Sequence, residues 1–339
     1  MKPVLATLLH ASFGLLPVLC FLAVLVALDS YKLVRLRWIL TVIAAGALAA
    51  GLGYGAGFAL VRGLGITYAT YAHVIGPVIE EALKAIVIVA MIRANRIGFL
   101  VDAAIFGFAV GTGFALIENL YFLSALPNAN YGIWVMRGFG TATMHGGVQA
   151  IFAVAVLSLS ERGGRTGPAQ VLPPFAIAAM LHLAFNQFAL SPTIETLIVL
   201  AVLPPMLWYV YRRGERGMEG WLRQGFDADT ELIELINSGA FSESPVGRYL
   251  DQLRTKFRGM AVADLLCYLR LHVELALRAK GVLMQREHGF EVALDEATLA
   301  KFEEMRYLER SVGPTALLAL EPFLRRGRKD LWQLSLLGR

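Results

Sequence analysis

Seven long apolar runs, each ended by a short polar or basic loop, occupy the first two thirds of the chain. They cover residues 4–28, 38–61, 70–92, 99–123, 132–158, 171–190 and 193–211. Most are near the ~20 residues that an α-helix needs to cross a ~30 Å hydrocarbon core. The first is too long for the apolar stretch of a secretory signal and lacks a small-residue cleavage site after it, so it too reads as a span. After residue 211 the pattern changes. Charged positions recur every few residues, and helical periodicity runs through 230–237, 246–283 and 295–311, punctuated by Gly239, Pro245, Gly281, Gly289 and Pro314. The predicted fold is therefore all-α: a polytopic helical membrane bundle of about seven spans in residues 1–211, then a soluble helical domain in 212–339.

Composition agrees with a membrane protein. Hydrophobic residues make up 57% of the 339 and charged residues only 17%, against about a quarter charged in soluble domains. Two cysteines, Cys20 and Cys267, give no disulfide framework and read as core residues. The net charge of +5 is not a nucleic-acid signal, because the bases lie in short inter-span patches with no aromatic-interleaved stripe. Those patches alternate. Lys32, Arg35 and Arg37 follow the first run, Arg93 and Arg96 the third, Arg162 and Arg165 the fifth, and Arg212, Arg213 and Arg216 the seventh. The intervening loops hold only Arg62. Cytoplasmic loops are the basic ones, so the N-terminus is expected outside and the C-terminal domain in the cytoplasm, where it would dock a protein partner.

The glycine pairs Gly51/Gly55, Gly53/Gly57 and Gly107/Gly111 repeat at four residues and read as close helix packing. The polar residues inside the spans are less ordinary. An ionisable group at mid-bilayer costs about 2.5–3.5 kcal/mol on insertion scales. Yet the third run contains Pro77-Val-Ile-Glu80-Glu81-Ala-Leu-Lys84, with Lys84 within reach of either glutamate on one helix face. The fourth carries Glu118-Asn119, the fifth His145, and the sixth His182 and Asn186 one turn apart. Counted at 1.5 Å per residue, Glu81, His145, His182 and Glu118 lie ~15, ~16, ~12 and ~8 Å from one end of their spans, which allows one polar layer. Arg137 reads as snorkelling to the outer surface, His10 as a packed or interfacial residue, and Asp102 as meeting water or Arg96.

Carboxylate plus imidazole suits a catalytic zinc, which keeps three protein ligands and an open position. On residue type and depth, the expected ligands are Glu118, His145 and His182. Glu81 is the expected general base, oriented by Glu80 with Lys84, and Asn186 is the expected oxyanion donor.

The same residues resemble the PrsW family of intramembrane proteases. The family's Glu-Glu-x-x-Lys is matched by Glu80, Glu81 and Lys84, its Phe-x-x-x-Glu-Asn by Phe114, Glu118 and Asn119, and its later histidines by His145 and His182. The resemblance covers about residues 70–190 and implies hydrolysis of a peptide bond in a membrane-anchored protein. The related type II CAAX-processing peptidases have Arg where this chain has Lys84 and His where it has Glu118. That departure makes prenyl-protein processing a poor fit, although His182 and Asn186 match their His-x-x-x-Asn. The competing expectations are a proton-coupled transporter, since buried Glu and His also form ion relays, and a catalytically silent scaffold of the same fold.

Overall fold

The computed structural model describes residues 2–187, 189–253, 259–290, 292, 295–320, 329 and 332–333. Its described residues form helices and no strand, and they divide into two compact units, Met1–Glu215 and Arg216–Arg339.

The first unit is built on α1 (Lys2–Ala27), α2 (Leu36–Leu64), α3 (Gly76–Arg93), α4 (Leu100–Ala125), α5 (Thr143–Gly163), α6 (Pro168–Asn186) and the start of α7 (Pro192–Asn237). Among the described residues six helices are long and apolar enough to cross a membrane. The third run is the exception, and the reason is chemical. Glu80, Glu81, Lys84 and Arg93 dilute α3, whereas the other spans carry few charges. Leu48, Leu52, Phe58, Leu172 and Ile198 are exposed on the outside of the bundle, as expected for side chains that meet lipid.

The middle of the bundle is α4, packed between α2 and α5. Its residues from Val101 to Ala115 are buried all round, so it carries no polar face, and its small residues decide how near its neighbours come. A β-carbon on Gly111 would stand 2.2 Å from the carbonyl oxygen of His145, and one on Gly107 2.4 Å from that of Gln149. Backbone contact at these points sets α5 against α4. Of the other glycine pairs, Gly53 and Gly57 face Glu80 and Tyr71, while Gly51 and Gly55 meet open space. The start of α4 is capped by Asp102, whose carboxylate accepts from the backbone N–H groups of Gly98 and Phe99 at 2.8 Å each. It serves the loop rather than Arg96 or water. Cys20 and Cys267 are exposed rather than in a core.

Two of the helices are entered through π-helical turns, Tyr71–Ile75 before α3 and Met136–Ala142 before α5. Such wide turns are uncommon and concentrate at functional sites.

The second unit contains α8 (Pro245–Leu253), α9 (Gly259–Glu287), α10 (Glu296–Val312) and α11 (Pro314–Leu320). Part of the stretch 246–283, namely 254–258, lies outside the described residues. Leu250, Leu265, Leu269, Phe302, Met305 and Leu320 belong to its apolar core. Buried Lys280 is neutralised by Asp229 at 2.5 Å and covers the Trp221 ring at 5.1 Å.

Candidate active site

The polar residues of α3, α4, α5 and α6 meet. On α3, Glu81 is fully enclosed, and its carboxylate is held by three donors from three helices. One oxygen is bonded to Lys84 and, at 2.7 Å, to Nδ1 of His182. The other accepts from Nε2 of Gln149 at 2.5 Å. Lys84 pairs with Glu81, three residues before it, and not with Glu80. Its ammonium also faces Nδ1 of His145 at 3.1 Å and lies over the ring of Phe114 at 4.5 Å.

The second part of the cluster is more open. Glu118 holds Nε2 of His145 at 2.8 Å with one oxygen and Nη2 of Arg137 at 3.0 Å with the other. The guanidinium carbon of Arg137 stands over Phe122, 3.8 Å from the ring centre, and its Nε donates to Asn119 at 2.8 Å. Asn119 in turn donates to the carbonyl of Gly14 on α1 at 2.6 Å. The side chains of Glu118 and Glu80 are 19% and 22% exposed, whereas those of Glu81 and Lys84 are 0%. Arg137 therefore does not snorkel away; it is the fixed counter-charge of Glu118.

The two imidazoles stand edge to face with centres 4.8 Å apart. With Nδ1 of His182 donating to Glu81, its Nε2 presents a lone pair, and this atom faces Glu80 at 3.8 Å. One ligand atom each from Glu80, His145 and His182 lies within 4.8 Å of the others. The donor types suit a divalent metal of the zinc type, with Glu81 behind His182 as the orienting carboxylate such ligands commonly have; His145 would give up its contact with Lys84 or with Glu118 to join it. The charge balance agrees. Among the described residues, Glu80, Glu81 and Glu118 face only Lys84 and Arg137 as fixed cations, which leaves a negative surplus when the imidazoles are neutral.

Asn186 lies at the end of α6, where its side-chain amide donates to the backbone carbonyl of Ala72 at 3.2 Å and its backbone carbonyl oxygen meets Nδ1 of His73 at 2.5 Å. It ties α6 to the π-helical turn before α3. His10 packs between Tyr131 and Trp134 with ring centres 4.9 and 5.5 Å away, apart from the cluster.

Gln149 and the paired role of Arg137 are what the sequence reading missed. Gln149 follows His145 by one helical turn, so a shared face was available as a signal; an uncharged amide simply did not stand out in an apolar run.

No curated protein and no solved structure matches the chain. Residues 31–210, more than half of the 339 and including Glu80, Glu81, Lys84, Glu118, Arg137, His145, Gln149 and His182, match the model of the PrsW family of intramembrane metalloproteases, and the chain belongs to that family.

Proposed function

We propose that the chain cuts a peptide bond in a membrane-anchored protein, using water activated at the cluster of Glu80, Glu118, His145 and His182. One observation carries the reading: carboxylates and imidazoles from four helices converge inside an apolar bundle, and two of the carboxylates remain reachable from outside.

The roles follow from the bonding already described. Glu81 is consumed by Lys84, Gln149 and His182, so its part is to hold the His182 ring with Nε2 turned toward Glu80. Glu80, His145 and His182 are the residues that would hold a divalent metal, zinc by donor type. Bound there, the ion would act as a Lewis acid and make water acidic enough to attack at neutral pH. Glu118, beside His145 and fixed by Arg137, is the general base that takes the proton of the attacking water and returns it to the leaving amine. Arg137, partly exposed at the same edge, is a donor available to the oxyanion. Asn186 acts at one remove, by keeping α6 against the entry to α3. This differs from the first expectation chiefly in moving Glu80 into the ligand set and Glu118 to the base.

Orientation belongs to the same proposal. The basic loops after the odd-numbered spans support an outside N-terminus and a cytoplasmic 212–339 domain that receives a protein partner.

The test is cleavage of a single-span reporter protein by purified enzyme in liposomes, with metal content measured on the same samples. The wild type is expected to cleave and to carry metal; His182→Ala should lose both. Cleavage that persists in His182→Ala contradicts the assignment, and proton flux without cleavage would identify a transporter instead.

A further inference from the structure

A second feature of the membrane unit lies on the far side of α5 and α6 from the cluster. A cavity of about 400 Å³ runs between α5, α6 and α7. Its walls are apolar, with Val148 and Ile151 from α5, Phe185 from α6, and Val199 and Met206 from α7 among them. The single ionisable group lining it is Glu195, in the first turn of α7. Glu195 is only 7% exposed. One of its oxygens accepts weakly from the N–H of Leu190 at 3.4 Å, and the other has no hydrogen-bond partner among the described residues. A buried carboxylate oxygen left unmatched in apolar surroundings is costly, and an ionisable residue in such a place marks a ligand more often than a packing accident.

The dimensions say which ligand. From Glu195 to Met206 the helix rises ~16 Å, about half of a ~30 Å hydrocarbon core. Leu181, Ile198 and Val202 around the cavity are 43%, 47% and 57% exposed, so it opens toward the bilayer. A transmembrane helix is 10–12 Å across with its side chains and needs the whole core, so it does not fit. A single hydrocarbon chain from one leaflet does fit, with its head group at the Glu195 end.

We infer that this cavity binds one acyl chain of a membrane lipid whose head group carries an ammonium, with Glu195 as the residue that recognises it. The site is independent of the proteolytic assignment. Its inner wall is nevertheless shared with the active site, since Met144 and Val148 on α5, and Leu181 and Phe185 on α6, are near neighbours in sequence of His145, Gln149 and His182.

The experiment is native mass spectrometry of the full-length purified protein with added phosphatidylethanolamine or phosphatidylglycerol of identical chains. The wild type should retain phosphatidylethanolamine about tenfold better, the size of one charge-assisted hydrogen bond. Glu195→Gln preserves shape and an acceptor for Leu190, and should reduce that preference to none. Val202→Trp, at a position already open to lipid, should fill the cavity and lower retention of both lipids. Equal retention of the two lipids by wild type, a preference that survives Glu195→Gln, or retention unchanged in Val202→Trp would each overturn the inference. So would displacement of the lipid by a single-span peptide.

Discussion

Two parts of one polar cluster, a few ångströms apart, are built on opposite principles. Around Glu81 the bonding is dense: Lys84, Gln149 and His182 close on a carboxylate that no solvent reaches. Glu80 and Glu118 have fewer partners, and their carboxylates are about a fifth exposed. A carboxylate held by three donors and fully enclosed is out of a substrate's reach; a less densely bonded one at an opening is not. The comparison separates residues that hold the site from those that act in it, although Glu80 and Glu81 are adjacent in sequence and identical in type.

The contrast is broken most severely on its open side. Glu118→Gln should lower reporter cleavage per folded molecule by roughly 10²–10⁴, the usual worth of a general base, with a smaller loss of thermal stability in detergent than Lys84→Met, because the amide still accepts from Arg137 and this pair keeps some exposure. Lys84→Met acts on the closed side. It leaves Glu81 without its cation, and removing one partner of a buried pair costs about 3–5 kcal/mol. The expected result is a large drop in unfolding temperature and in folded yield. Gly111→Ala should have a smaller effect. A methyl group there meets the His145 carbonyl, so α5 must shift, and overpacking costs about 1–3 kcal/mol. Cleavage should fall along with stability. Gly55→Ala is the control. The added methyl meets nothing, so cleavage should be unchanged and stability should not fall, since Ala is favoured over Gly inside a helix by about 0.5–1 kcal/mol. If Gly55→Ala proved as damaging as Gly111→Ala, the packing account of the site would be wrong.

Much of this was legible in the sequence. Hydropathy located the apolar runs, and the helical periodicity after residue 211 located α9 and α10. The cost of burying charge drew attention to the helices that do meet. The rest needed the fold. Sequence spacing allowed Lys84 to pair with either glutamate, and only the positions of Gln149 and His182 on other helices decide for Glu81. Arg137 and Glu118 sit on different helices. Arg137 also lies within a π-helical turn, where an extra residue per turn spoils any count made at 3.6. Among the glycine pairs, nothing in their shared spacing distinguishes Gly107 and Gly111, against the backbone of α5, from Gly51 and Gly55, which face open space. The sequence did show that polar groups were present in excess of what packing requires. It did not show which of them were already satisfied.

The most direct test is anomalous X-ray scattering, recorded at a metal absorption edge from crystals of enzyme that cleaves the reporter. One peak is expected, bounded by Nε2 of His182, the ring of His145 and the carboxylate of Glu80, with Glu81 still held by Lys84 and Gln149. An active enzyme with no peak, or with a peak bound to Glu81 instead, would contradict the division between holding and acting residues.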